Sequence, residues 1–553
     1  MNNLPCEHFL SHFEHAIREY WQWPALSDYG TDYTLTYGQM ANEMNRLHVL
    51  FERFGLKKGD KIAICSPNCA NWALSFLTVM TFEGVVVSIL PDFQSESIQG
   101  LVNHSGSTLL IVSNKIWKGL DFKAMPGLVG ALSISDFSVL ETKDEAMHQA
   151  YAEWADAYQA QYPEGIQAAD VHFPTDNWED TCLINYTSGT TSAPKGVMLS
   201  YKNISSNVQY GLDYMHTEPG YQILSMLPLA HMFGLAFEFL YPICGGTHIF
   251  FLNRTPSPQI LLKALADIRP YLLITVPLVL EKIIRKNVIP SISKWYIKLL
   301  WNLPPLSLII RKKVCDKVMN VFGGNLHCLI IGGAAISEDV EDCLKQMKFP
   351  YTVGYGMTEC APIIAYCDWR HYRKKSCGHI VDRMDIKIES TNQRKKAGEI
   401  LVKGDNVMQG YYQNEEATKT IFTSDGWMRT GDMGVIDKKG NIFIKGRCKN
   451  MILGASGQNI YPEEIEDKLN AQPLVVESLI VHRDDRLVGL VYPDYEGAKK
   501  QGLDKAALLN YLEQTRQRLN KMLPHFSQLA KVETVDSEFE KTPKRSIKRF
   551  LYK

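Results

Sequence analysis

Through roughly the first 350 residues, short runs of β-favouring apolar residues alternate with helical patterns, and this alternation limits the possible folds more than any other feature. Residues 61–65 read as a strand, 71–82 as a helix and 85–90 as a strand; the order repeats over 247–252, 259–268 and 271–276, and again over 326–331, 338–347 and 351–354. Strand, helix, strand at this spacing predicts parallel sheets with helices on their faces. Ligands of such sheets bind where loops leave the carboxyl ends of strands. After about residue 380 the texture changes: 398–403, 433–436 and 442–445 read as strands joined by tight turns such as 437–440, which predicts a small antiparallel region. An amphipathic unit starts at Ile460, and the last hundred residues read as a compact α+β unit with a basic tail. The expected fold is therefore α/β: a large N-terminal domain, residues 1–447, made of parallel-sheet subdomains plus the antiparallel one, then a small α+β domain, residues 448–553.

Composition narrows the class. With 553 residues, 45% hydrophobic and 22% charged, the chain has the makeup of a large globular protein, far from disordered composition. Its charges nearly cancel, at a net −1, so no global attraction to nucleic acid is expected. Twelve cysteines without a CxxC pair argue against a disulfide framework and a zinc ribbon, and suit a reducing cytoplasm. The N-terminus has no basic region followed by an apolar core, so no signal peptide is expected. The most apolar stretches, 72–91 and 222–252, are broken by Glu83 and Gly84 and by Pro228, His231, Glu238 and Pro242, so neither suits a membrane span.

Four motifs carry chemistry. Tyr186-Thr-Ser-Gly-Thr-Thr-Ser-Ala-Pro-Lys195-Gly196 follows the apolar run 182–184. Its hydroxyls, glycines and lysine can cradle phosphate oxygens, although a polar surface loop has the same composition. It is not a Walker loop, because Pro194 stands where the second glycine belongs and Gly196 follows the lysine. Gly354-Tyr-Gly-Met-Thr-Glu359 offers an aromatic for stacking on a flat base and a Thr-Glu pair as oxygen ligands for Mg²⁺; a tight turn with a capping Thr fits equally well. In Arg429-Thr-Gly-Asp432 a carboxylate can accept both hydroxyls of a ribose, and Gly446-Arg447-Cys448-Lys449 is the fourth. Each is weak alone; their order and spacing are not.

Together the four motifs resemble the adenylate-forming superfamily of acyl-CoA synthetases, adenylation domains and beetle luciferases, from about Thr34 to the C-terminus. The stretches 354–362, 449–453 and 459–466 look most like long-chain fatty acid–CoA ligases of the bacterial kind. The resemblance implies ATP, Mg²⁺ and coenzyme A, a fatty acid substrate, and a C-terminal domain that turns about Lys449. It implies that Thr187, Ser188, Gly189, Thr190, Thr191 and Lys195 embrace the ATP phosphates, with Thr187 also near the metal. Gly354, Tyr355, Gly356 and Met357 would border the adenine, with Tyr355 stacked on it; Thr358 would meet the α-phosphate, Glu359 would hold Mg²⁺, and Asp432 and Arg447 would fix the ribose. Gly332, Gly333 and Ala334 match the wall between adenine and acyl pocket, and His231 matches a position at the carboxylate end of the acyl site. A histidine on such an apolar stretch is otherwise most often a core residue. Two rival functions share this fold: a ligase that loads a carrier protein instead of coenzyme A, and a catalytically weak protein that binds fatty acid or membrane.

One departure stands out. The family usually carries Thr-Pro-x-x-Lys-Ile near the C-terminus, but here 541–549 reads Lys-Thr-Pro-Lys-Arg-Ser-Ile-Lys-Arg, with Ser546 at the lysine's position. In an extended tail Lys544 and Lys548 share a face with Ser546, and Lys548 is the favoured substitute. Residues 282–313 hold eight basic and no acidic side chains around Trp295, Tyr296 and Trp301, which suits either a membrane-surface segment on the cytoplasmic face or a buried helix pair with a basic rim. His8, His12 and His15 share a helical face that is expected to be solvated.

Overall fold

The computed structural model describes residues 5–187, 194–253, 258–292, 297, 300–301, 303, 306–453, 459–483, 486–542 and 547–552. Two large sheets form the bulk of it. The first has eight strands, with Thr181–Thr187, Val85–Ser88, Lys61–Cys65, Leu109–Val112 and Gly130–Ser133 parallel at its centre and antiparallel strands at its margins. The second has seven, of which Tyr351–Val353, Cys328–Ile331, Leu272–Thr275, Gln222–Ser225, His248–Phe251 and Pro24–Asp28 run parallel. Strands such as 61–65 and 85–88 are almost wholly buried, which is why they read as continuous apolar runs without alternation.

The helix Ala70–Thr81 is buried at every residue. Its sequence is apolar all round, as a helix enclosed on all sides must be. Its hydroxyls are satisfied within the helix, those of Ser75, Thr78 and Thr81 donating to the carbonyls of Asn71, Leu74 and Leu77 one turn back at 2.6 to 2.8 Å, while the Asn71 amide donates to the Ile134 and Ser135 carbonyls. Among the described residues no helix is long and apolar enough to cross a membrane.

A four-stranded antiparallel sheet, Met384–Glu389, Gly398–Gly404, Met428–Ile436 and Ile442–Arg447, follows. Its third strand is longer than the expected 433–436, because Arg429 to Asp432 lies within the strand and not in a loop. The Thr430 hydroxyl donates to the Ile400 carbonyl at 2.9 Å, and the ladder shifts register beside it, so a motif with the look of a turn is held in the sheet. The chain ends in a three-stranded sheet, Val475–Arg483, Arg486–Pro493 and Leu529–Thr534, packed on helices Pro462–Asn470 and Lys505–Asn520.

Two expectations are corrected here. The helix Phe9–Glu19 carries His12 and His15, while His8 precedes it and is buried: it caps the helix by accepting from Leu10 N–H, and its ring packs against Trp178 and Tyr201. Burial pulls its pKa down to about 4. Trp301 is no surface anchor either, since it is buried with its indole N–H on Gln346 at 2.6 Å and the Arg311 guanidinium over its ring.

Candidate active site

Both large sheets deliver the carboxyl ends of their strands to one cleft of about 3380 Å³. From the seven-stranded sheet, Gln222–Ser225 leads into Met226 to His231, Cys328–Ile331 into Gly332 to Ala334, and Tyr351–Val353 into Gly354 to Glu359. From the eight-stranded sheet come Pro67 and Asn68, Pro91 and Asp92, Thr187 and Lys195. Arg447 and Lys449 close one side, and the last hundred residues contribute Glu463, Val475, Leu479 and Arg549. Thus Thr187, Lys195, His231, Gly333, Ala334, Gly354, Tyr355, Gly356, Met357, Thr358, Glu359, Arg447 and Lys449 share one space, although they are up to 262 positions apart. Ser188, Gly189, Thr190 and Thr191 lie outside the described residues.

The turn after 351–353 is built by close approach. A Cβ on Gly356 would sit 2.1 Å from the Pro362 carbonyl oxygen, and Met357 N–H donates to that same oxygen at 2.8 Å, so only glycine fits. The tight fold turns Thr358 and Glu359 into the cleft. Gly333 has φ +83°, a left-handed conformation, and a Cβ on Gly332 would meet the Phe233 ring at 2.7 Å. The Phe233 ring therefore packs against this wall, two residues from His231.

Asp432, expected at the ribose, does not itself line the cleft: it is buried and bonds two residues that do, Tyr355 and Arg447. The Tyr355 hydroxyl donates to its Oδ2 at 2.6 Å and Arg447 Nε approaches its Oδ1 at 2.9 Å. Burial pushes the Asp432 carboxyl up, while Arg447 and the Tyr355 hydroxyl oppose the shift. One carboxylate thus orients the aromatic ring and the guanidinium expected around a nucleoside. Arg429 also lines the cleft and is held by Glu389 and Glu399 at 2.9 and 2.5 Å.

Not every expected residue arrives. Lys548 does not line the cleft: its ammonium reaches Glu540 at 3.4 Å, while Arg549 turns inward to Glu466. Lys541 and Ile547 form an isolated antiparallel bridge; residues 543–546, including Lys544 and Ser546, on which the expectation of an extended tail falls, lie outside the described residues. Other contributors carried no signal in the sequence. Tyr411, on the short edge strand Gly410–Tyr411, donates its hydroxyl to Glu359 at 2.9 Å, and its ring lies 4.8 Å from the Lys195 ammonium. Glu238 and Asn68 hold the loop that carries His231: Glu238 accepts from Met226 N–H, Leu227 N–H and the Ser225 hydroxyl, and Asn68 bonds the Leu227 carbonyl and Leu229 N–H.

Residues 13–412 match the family model for AMP-binding enzyme, and residues 449–552 that for AMP-binding enzyme C-terminal domain. A 4-coumarate–CoA ligase of Vanilla planifolia is 26% identical over 512 residues, covering 88% of this chain and 83% of that protein. Long-chain-fatty-acid–CoA ligase 4 of Saccharomyces cerevisiae is also 26% identical, over 535 residues, covering 88% of this chain and 76% of its own. The fold is that of solved relatives. An anthranilate CoA ligase in complex with anthranoyl-AMP superposes with a TM-score of 0.78 at 18% identity, covering 99% and 97% of the two chains. The O-succinylbenzoate coenzyme A synthetase of Bacillus subtilis, in complex with AMP, gives 0.73 at 20% identity, covering 98% of each. The chain belongs to the AMP-binding enzyme family, the adenylate-forming CoA ligases, which use ATP, Mg²⁺ and coenzyme A.

Proposed function

We propose that this chain activates a fatty acid. One observation carries the reading: the cleft that holds His231 is also lined by apolar side chains from two further helices, Leu261 and Leu262 of Pro258–Ile268 and Val279 and Ile283 of Pro277–Asn287, with Glu281, Lys282 and Arg285 beside them. An acid of one ring's size would leave that wall without a partner. The chemistry begins from a difficulty: a carboxylate cannot expel oxide. Attack of the carboxylate on the α-phosphorus of ATP expels pyrophosphate and leaves an acyl-AMP, and the coenzyme A thiol then displaces AMP.

In this reading Tyr355 stacks on adenine between Gly354, Gly356 and Met357, and Asp432 and Arg447 bind the ribose. Thr187 and Lys195 meet the phosphates, Thr358 the α-phosphate, and His231 the carboxylate end of the acid. Of the carboxylates that line the cleft, Glu359 is the one that would hold the divalent cation, with Thr187 as the neutral oxygen donor. Mg²⁺ held there supplies positive charge to the phosphates. The boundary at 447/448 and a hinge at Lys449 let the small domain serve both half-reactions in turn. Lys548, ahead of Lys544, replaces the lysine that Ser546 displaces, once it leaves the exposed Glu540. The protein works in the cytoplasm, at the membrane surface where its substrate partitions.

A second reading, an aromatic acid, is favoured by Phe233 lying on Gly332 and by 4-coumarate ligases standing as near in sequence as the fatty acid ligase. The test is AMP release by the purified chain with C8 to C18 acids and with 4-coumarate, each with coenzyme A and with a carrier protein. We expect release that grows with chain length and needs coenzyme A. Preference for 4-coumarate hands the function to the second reading, and preference for the carrier identifies the other acceptor. Glu359→Gln and Lys195→Ala should each cut acid-dependent ATP–pyrophosphate exchange about tenfold or more. Lys548→Ala should do the same, with little gain from Ser546→Lys.

A further inference from the structure

Lys195 and Glu359 carry opposite charge in one cleft, yet among the described residues no ion pair joins them. Tyr411 lies between. Its hydroxyl donates to Glu359 Oε1 at 2.9 Å, and the Lys195 Nζ sits 4.8 Å from the centroid of its ring. The phenol thus offers its positive O–H to the anion and the negative face of its π system to the cation, and each contact is favourable on its own.

The backbone makes this placement rigid. Tyr411 pairs antiparallel with Val197 on the strand Lys195–Ser200 that begins with the lysine. Its own N–H donates to the Thr418 hydroxyl at 2.9 Å, and the neighbouring Tyr412 N–H donates to the Gly196 carbonyl at 2.7 Å. Glu359 is tied to the same edge, because Met408 N–H donates to its carbonyl at 2.9 Å. The ring is buried, so it cannot swing away without opening the sheet margin.

We propose that Tyr411 is a positioning residue that keeps Lys195 and Glu359 apart and preset, the ammonium for phosphate oxygens and the carboxylate for the divalent cation. The proposal rests on the roles given to those two residues above. Without the spacer, a lysine and a glutamate on facing walls collapse into an ion pair, and both ligands must then break that pair to bind. The hydroxyl also leaves Glu359 with one oxygen bonded, which fixes the carboxylate plane for the metal.

The test separates hydroxyl from ring. Mn²⁺, visible by electron paramagnetic resonance, is titrated into the full chain in the presence of a nonhydrolysable ATP analogue, for wild type, Tyr411→Phe, Tyr411→Leu and Glu359→Gln. We expect the Mn²⁺ dissociation constant to rise about fivefold in Tyr411→Phe, with an unchanged melting temperature. In Tyr411→Leu both that constant and the KM for ATP in pyrophosphate exchange should rise, by about tenfold. A wild-type Mn²⁺ constant in Tyr411→Phe, alongside a raised one in Glu359→Gln, overturns the proposal and leaves the metal site standing. A uniform fall in turnover without a shift in Mn²⁺ affinity makes Tyr411 merely structural and also overturns it. A wild-type constant in Glu359→Gln removes the metal role of that carboxylate, and the proposal with it.

Discussion

Glu238 has no place in the chemistry and yet governs a wall of the site. It is fully buried in the π-helical turn Leu235–Leu240, and its Oε2 accepts from the Ser225 hydroxyl and the Met226 and Leu227 N–H groups at 2.9 to 3.1 Å. Those donors sit where strand Gln222–Ser225 opens into the loop leading to His231. Burial pushes the carboxyl well above the usual carboxylate range, against the three donors. A neutral acceptor therefore serves as well as a charged one, and Glu238→Gln should keep stability and activity. Glu238→Ala strands the buried Ser225 hydroxyl and removes the acceptor of the half-buried Met226 and Leu227 N–H groups, the first at about 1–3 kcal/mol for an unmatched buried group. It should lower the melting temperature by several degrees and weaken acid binding, read in KM, more than ATP binding. Equal losses in the two variants would restore charge as the essential property. In the sequence this residue is visible only as a break in an apolar stretch. Its partners are backbone groups eleven and twelve positions upstream, and periodicity cannot report those. Glu359, by contrast, is legible because its whole motif is local.

At the scale of elements, buried strands and enclosed helices are legible because burial on both faces writes an apolar run, while surface helices are not. The helix Leu306–Val321 buries only Ser307 and Val318 among its described side chains. It presents Leu306, Leu308 and Ile309 at 41, 62 and 54% exposure, followed by the exposed Lys312 and Lys313. Of the basic residues on which the membrane expectation was built, Arg285 is engaged with Asp339 and the Asn470 carbonyl, and Arg311 with Trp301. Lys294, Trp295, Tyr296 and Lys298 lie outside the described residues. A bilayer contact therefore rests on the short apolar face and its two lysines, which gives a sharper forecast than the whole segment did. The protein should co-sediment with anionic vesicles at low ionic strength and be released by salt. Lys312→Glu with Lys313→Glu should abolish binding while leaving pyrophosphate exchange intact. Failure to co-sediment at low salt ends the idea.

On the scale of the whole molecule, the cleft is closed by a unit whose own cohesion depends on pH. Glu466, on the helix Pro462–Asn470, is buried; it accepts from Ile480 N–H at 2.7 Å and pairs with Arg549, the tail residue that lines the cleft. Burial raises its pKa to about 7, against the pull of Arg549 and with Glu463 adding to the rise. The sign follows from proton counts. Between the unfolded value near 4.5 and about 7 the folded state holds the proton and the unfolded state does not, so stability falls as pH rises through that window. The full swing is on the order of 3 kcal/mol, reached above pH 7. Glu466→Gln cannot titrate, and its melting temperature should decline less steeply between pH 5 and 7 than that of wild type; the remaining decline belongs to Asp467 on the same helix, whose carboxyl burial also raises to about 7. The tail is bonded through the same carboxyl. Deprotonation strengthens its charge pairing with Arg549 even as the net desolvation cost of the buried anion appears, so the tail should be held most firmly where the small domain is least stable. Proteolysis of the tail therefore sets the two effects apart: cleavage in wild type should slow as pH rises from 6 to 8, and in Glu466→Gln it should stay constant. Cleavage of wild type that quickens over the same range would show the unit loosening as a whole, with its tail released and not held.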